Sequence, residues 1–206
     1  LALTFTNQAA AELKNRLDAA LGEGSPNAPY VSTFHGFGKF VLETVFGQVV
    51  TIADDDTRQE LLREILGNET PKRRIEDCLD AISLAKQHPT PLDALDPNLR
   101  PVFLRYGSLL EQRELLDIDD LVLAAYSKLS HSVEATSALT RRYDSICVDE
   151  YQDVNDVQAA LVQLLSPQGH NLLVIGDPDQ AIYGFRGARP GHFVRFEMTF
   201  PGARAV

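Results

Sequence analysis

Ser145–Gln158 reads SICVDEYQDVNDVQ, and Leu172–Ala188 reads LLVIGDPDQAIYGFRGA. Each opens on an unbroken apolar run that stops at acidic residues, Asp149 and Glu150 in the first and Asp177 in the second. Short continuous apolar runs suit strands buried on both faces, and such strands belong to parallel sheets covered by helices. In an open parallel sheet, bound molecules sit beyond the carboxyl ends of the strands. Two buried strands that surface on carboxylates therefore predict an α/β fold with a polar site at the strand tips. For a bare strand followed by Asp-Glu, an acidic turn that merely closes the strand is an equally good reading.

The same alternation runs outward in both directions. Leu1–Thr6 reads as a strand, with Asn7 predicted to cap a helix over Gln8–Leu21 whose Ala10, Leu13, Leu17 and Leu21 share one face. Gly22–Pro29 is a loop on composition, Tyr30–Phe34 a second strand, His35–Gly47 a helix and Gln48–Ala53 a short strand. From Asp54 to Arg142 strand signals vanish and helical periods dominate, punctuated by Pro71, Pro89, Pro91, Pro97 and Pro101. After Tyr143 strands and helices alternate again, ending with a predicted helix over His192–Phe200. The expected organisation is a sheet domain made of residues 1–53 and 143–206, interrupted by a helical insertion at 54–142. Lys72–Arg74 is the insertion's dense basic cluster, explained equally by a solvated helix start or a nucleic-acid contact.

Composition sets outer bounds. The chain has 206 residues, 44% hydrophobic and 23% charged, enough for one large domain or a core domain with an insertion. No apolar run approaches the roughly 20 residues of a membrane helix, and the first residues are not a basic-then-apolar leader. Cys78 and Cys147 match no metal spacing and are expected as free thiols in a reducing, cytoplasmic setting. A net charge of −10 opposes broad attraction to phosphate, but a local groove using backbone N–H groups and aromatic stacking escapes that objection. The chain opens without Met in a strand-like run and closes on FPGARAV, where another strand begins, so a piece of a longer protein is expected. The other histidines show no metal-like spacing, and Asp117–Leu121 (DIDDL) reads as a helix cap with favourable dipole charges.

An apolar strand ending in Asp-Glu matches the Walker B element of P-loop NTPases, where the Asp holds the Mg²⁺ that bridges the β- and γ-phosphates. The adjacent Glu is placed to take a proton from an attacking water. The longer stretches VDEYQDVN (148–155) and GDPDQAIYGFRGA (176–188) resemble motifs II and III of the UvrD/Rep-type superfamily 1 DNA helicases. LALTFTNQAAAELKNRL (1–17) resembles their motif Ia and VSTFHGF (31–37) their motif Ib. The matches fall in family order across nearly the whole chain, although the insertion matches only in being helical.

The resemblance implies a P-loop NTPase (RecA-like) parallel sheet with helices on both faces, an inserted all-helical subdomain, and truncation at both ends. It implies Asp149 as Mg²⁺ ligand, Glu150 as general base beside the same metal, and Gln180 as the group that senses the γ-phosphate. Arg186 would contact a phosphate or brace Glu150. Phe5, Tyr183 and Phe185 would stack on bases of single-stranded DNA, a contact worth about 1–3 kcal/mol per base and indifferent to sequence. Thr6, Asn7, Thr33 and His35 would contact phosphates. The implied cofactors are ATP and Mg²⁺, and the implied partners are single-stranded DNA and its junctions with duplex. Taken singly, Phe5 and Phe185 read as core aromatics and His35 as a structural histidine; only their place in the motifs reverses that.

The sequence also departs from the family. Gln8 stands where Lys is common, Gly36 and Ala181 where Ser is common, and Phe185 where some members have Trp. No GxxxxGK[ST] phosphate loop occurs, so the chain alone is expected not to turn over ATP. Two other readings are a helicase subunit of a helicase–nuclease, and a non-catalytic DNA- or protein-binding module. The intact VDE and DPDQ oppose decay of an ATP site.

Overall fold

The computed structural model describes residues 1–22, 24–25, 28–89, 91–180 and 191–204. Four short strands form one parallel sheet in the order β2–β1–β3–β4. They are β1 (Ala2–Thr4), β2 (Val31–Thr33), β3 (Ile146–Val148) and β4 (Leu172–Val174). Thr4 lies opposite Thr33, Leu3 opposite Val148, and Val148 opposite Val174, so the carboxyl ends of all four strands emerge on one edge. Because β1 pairs with β3, the two sequence-distant parts of the chain share one sheet, and the long helical stretch leaves and returns between them.

Helix α1 (Asn7–Leu21) follows β1. Its cap is Thr6, whose hydroxyl accepts the Ala9 N–H at 3.1 Å, and Asn7 is the first helical residue rather than the expected cap. The two neighbours offer the same capping chemistry, and Thr6 is the one with extended backbone. Helix α2 (Phe34–Phe40) is capped by Thr33 and passes into a π-helical turn over Val41–Val45. A Cβ at Gly38 would stand 2.4 Å from the Leu121 carbonyl oxygen, so α2 and the later helix α6 (Ile118–Ser130) approach at backbone distance there. The expected strand at Gln48–Ala53 is absent. Ile52 makes one parallel bridge to Leu116, with Leu116 N–H donating to Thr51 O at 2.9 Å and Ala53 N–H to Leu116 O at 2.8 Å. β propensity there meets only the short link before α6, too brief a partner for a ladder.

The helical stretch holds α3 (Asp55–Leu66), α4 (Lys72–Gln87), α5 (Leu99–Gln112), α6 and α7 (Val133–Thr140). Two apolar cores result. Leu61 and Leu62 of α3, Ile75 and Ile82 of α4, and Tyr106 and Leu109 of α5 close one. The other joins the sheet to α2, α6, α7 and α8 (Asp156–Leu165) through Leu3, Phe37, Leu121, Leu139, Val148 and Leu161. Thus α6 and α7, helical like α3–α5, pack with the sheet. The helix expected at His192–Phe200 is two short ones, α9 (Gly191–Val194) and α10 (Phe196–Thr199), broken at Arg195. The break lets Phe193 and Phe196 both meet the buried Tyr151, with ring centroids at 6.5 and 5.5 Å. Among the described residues, no helix is long and apolar enough to cross a membrane.

Candidate functional site

The strand edge brings the acidic tips together. Asp149 follows β3, and its N–H donates to Leu3 O at 2.9 Å as the last rung of the β1–β3 ladder. Asp149 Oδ1 then accepts the Glu150 N–H at 3.1 Å. Glu150 has left-handed backbone, φ 52° and ψ 43°, one of two non-glycine residues with positive φ among those described. That conformation costs a non-glycine residue about 1 kcal/mol or more and clusters at functional sites. It turns the chain off β3 into the short 3₁₀ turn Tyr151–Asp153.

Gln152, in that turn, is 1% exposed. Its Nε2 donates to Glu150 Oε2 at 2.6 Å, and its Oε1 accepts the Asp177 N–H at 3.0 Å. The amide orientation follows from chemistry: a carboxylate only accepts here and a backbone N–H only donates. Asp177, just beyond β4, accepts the Asp179 N–H at 3.0 Å through Oδ1 and Gln180 Nε2 at 2.8 Å through Oδ2. The path Glu150–Gln152–Asp177–Gln180 thus joins the two motifs quoted at the outset. Gly176 permits it, since a Cβ there would stand 2.4 Å from Gln152 Oε1.

The tips of β1 and β2 carry the other candidates. Phe5 is half-buried, while Thr6 and Asn7 are exposed. Thr6 and Thr33 each spend a hydroxyl lone pair as a helix cap, Thr33 accepting the Gly36 N–H at 3.1 Å. Gly36 sits in a tight place, because a Cβ would meet Ser32 Oγ at 2.5 Å. His35 is half-buried; burial lowers its imidazole from the ordinary value, and the Asp119 carboxylate partly opposes this. On one side of this edge lie the exposed Thr6 and Asn7, the half-buried Phe5 and His35 and the buried Thr33, and on the other Asp149, Glu150 and Gln180. Tyr183, Phe185 and Arg186 lie in 181–190, outside the described residues.

Two polar clusters escaped sequence reasoning. Lys86 Nζ lies 2.7 Å from Asp117 Oδ2 and 2.7 Å from Asp120 Oδ1, and Asp117 is wholly buried. DIDDL is indeed a cap, with Asp117 and Asp120 forming a capping box, but its carboxylates also hold a buried lysine from 31 positions earlier. The Asp156 carboxylate accepts from His88 Nδ1 and His192 Nε2, each at 2.7 Å, tying α4, α8 and α9 together. Neither cluster has a spacing signal, because each is assembled by tertiary packing. A cavity of about 760 Å³ opens elsewhere, among Val49, Phe103, Leu116 and Lys86, and touches no strand tip. The chemistry converges at the strand edge.

The donor set there suits Mg²⁺ carried by a nucleotide. Asp149 and Glu150 offer two accessible carboxylates at one tip, and Mg²⁺ commonly takes one or two carboxylates alongside phosphates and waters. Among the described residues no group of three or more His, Cys, Asp or Glu is arranged to hold a resident metal ion.

A flanked parallel sheet with an Asp-Glu pair and an Asp–Gln pair on adjacent tips is the framework of a P-loop NTPase-like domain. The family model for the UvrD/REP helicase N-terminal domain matches residues 1–201, and the chain belongs to that family. Over its whole length it is 31% identical to an ATP-dependent DNA helicase PcrA of Leuconostoc citreum. It is 32% identical to the PcrA helicase of Staphylococcus aureus and 33% to that of Staphylococcus epidermidis. The chain spans 30% of the length of each of these relatives.

Proposed function

We propose that the whole protein containing this chain is an ATP-dependent DNA helicase that moves 3′–5′ along single-stranded DNA and opens duplex at junctions. The observation that carries this is the hydrogen-bonded path joining Glu150 beyond β3 to Gln180 beyond β4 on one sheet edge. Residues 1–53 and 143–206 are the motor subdomain in this reading, and 54–142 the insertion.

Asp149 and Glu150 would hold Mg²⁺, which would supply charge neutralisation at the transferring phosphate. Glu150 is the base, its Oε2 held by the Gln152 amide and its carboxylate taking a proton from the attacking water. Gln180 reports the γ-phosphate by exchanging its bond to Asp177 for one to the nucleotide, with Arg186 nearby in sequence to contact phosphate. Phe5, Tyr183 and Phe185 supply stacking, and Thr6, Asn7, Thr33 and His35 phosphate contacts. Thr33 and Thr6 can still donate their hydroxyl hydrogens to phosphate, because the caps use only a lone pair. Residues 1–206 contain no phosphate loop, so this chain alone does not turn over ATP and other parts of the whole protein complete the site. The two free thiols accord with work in the cytoplasm.

In the full-length protein, Glu150→Gln should lower DNA-stimulated ATP turnover by roughly a hundredfold or more while nucleotide binding persists. Turnover near the wild-type rate would remove Glu150 as the base.

A further inference from the structure

We infer that Gln152 is a positioning residue for the Glu150 carboxylate and the strut that registers the loop after β4 against it. The inference rests on the reading of Glu150 as the base. Gln152 neither faces solvent nor stands at a strand tip, yet its single amide reaches both tips: Nε2 to Glu150 Oε2 at 2.6 Å and Oε1 to the Asp177 N–H at 3.0 Å.

Three features make this more than a satisfied buried amide. Glu150 is exposed and itself holds the left-handed backbone, so its side chain lacks the packing that would otherwise fix a rotamer. The Gln152 amide supplies that restraint on one carboxylate oxygen. The opposite end of the amide is itself fixed, because the Asp177 N–H it accepts belongs to the residue that holds Gln180. The space behind is closed: any Cβ at Gly176 would collide with Gln152 Oε1 at 2.4 Å and press on Tyr151 N at 3.2 Å. A displacement of the loop after β4 therefore moves the amide, and the amide moves Glu150. This gives the Gln180 loop a mechanical route to the base that does not pass through the nucleotide.

The two hydrogen bonds can be separated in the full-length protein. Assayed at alkaline pH, where the introduced carboxyl is ionised despite its burial beside Glu150, Gln152→Glu keeps an acceptor for the Asp177 N–H and loses the donor to Glu150; Gln152→Met keeps bulk and loses both. Both should lower kcat for DNA-stimulated ATP hydrolysis by roughly tenfold or more, with KM for ATP changed by less than about threefold. In nucleotide-free protein, exchange of the Asp177 amide should stay slow in Gln152→Glu and quicken in Gln152→Met. Because Gln152 acts through Glu150, adding Gln152→Glu to Glu150→Gln should cost little further activity.

Wild-type kcat in Gln152→Glu, or full additivity in the double variant, would overturn the inference. If Gln152→Glu does not fold, Gly176→Ala carries the same test by displacing the amide, and an unchanged kcat there would be equally fatal. The two readings fail differently. Turnover retained by Glu150→Gln removes Glu150 as the base, whereas an inactive Glu150→Gln beside a wild-type-like Gln152→Glu removes only the role of Gln152.

Discussion

Two clusters of carboxylates among the described residues are opposites. Asp149, Glu150 and Asp177 stand at the tips of β3 and β4, accessible to solvent, with backbone N–H groups and glutamine amides as their hydrogen-bond donors. Asp117 and Asp120 close the start of α6 around Lys86, which is 6% exposed and lies 5.3 Å from the Tyr106 ring centroid. The buried cluster brings its own cation, whereas among the described residues no Lys or Arg pairs with the tip carboxylates. Charge without a resident counter-ion at an accessible edge is what a binding site needs; charge neutralised inside is what a joint between helices needs.

The most forceful way to break the contrast is to remove the resident cation. Lys86→Met leaves Asp117 buried beside Asp120 without the ammonium that pairs with both, the Arg58 guanidinium reaching Asp117 only through the Tyr106 hydroxyl. It should cost about 3–5 kcal/mol, read as a lower urea midpoint. Asp149→Asn at the tip should stay within about 0.5 kcal/mol of wild type. Equal costs would show that both clusters are structural.

The clusters should also differ in their response to pH. Burial raises Asp120 from 3.8 to about 6, with Asp117 adding to the rise and Lys86 opposing it. Asp117 goes the other way, lowered because Lys86 and several hydrogen bonds outweigh its burial. One cation serves two carboxylates, so the pair shares protons, with Asp117 holding the charge more firmly. Between about 4 and 6 the native state therefore binds more protons at Asp120 than the unfolded chain does, and stability falls as pH rises through that window. Asp117 contributes stability above 3.8 that is lost at lower pH. Between pH 4 and 7 the stability of wild type relative to Asp120→Asn, read from urea midpoints, should fall by on the order of 2 kcal/mol, the burial-lowered His35 acting the other way in both proteins. A wild-type profile parallel to that of Asp120→Asn would place the proton elsewhere.

Legibility in the sequence follows the same division. The tip carboxylates could be read because buried parallel strands write themselves as apolar runs, so the residue after each run marks the edge. Capping by DIDDL was readable for a similar local reason. The partnership with Lys86 was not, since nothing in a helical period says which lysine turns inward. Gln152 was hidden inside a quoted motif: its bonds to Glu150 and to the Asp177 N–H form only when β3 and β4 lie side by side, which strand and helix periods do not encode. Gln48–Ala53 misled because β propensity announces a willing strand and not an available neighbour. Thr6 and Asn7 differ by one place because both side chains can cap, and only the backbone angle chooses.

The smallest expected effect concerns the two left-handed glutamates among the described residues, Glu114 shortly before the buried cluster and Glu150 within the tip cluster. Glu114 has φ 55° just past the end of α5, where Leu115 N–H reaches back to Leu110 O at 2.9 Å in the manner of a glycine-terminated helix. Glycine carries no Cβ penalty there, so Glu114→Gly should stabilise the protein by about 0.5–1 kcal/mol. Glu150→Gly relieves a backbone of the same hand and should also leave stability level or slightly raised, yet it removes the proposed base. In the full-length protein, stability gained together with turnover lost at Glu150, against stability gained with turnover kept at Glu114, would mean that strain at the strand tip is tolerated for the side chain it presents. A loss of stability in Glu150→Gly comparable to the cost of Lys86→Met would instead make the bond from Gln152 to Glu150 part of the framework, and the contrast between the two clusters would collapse.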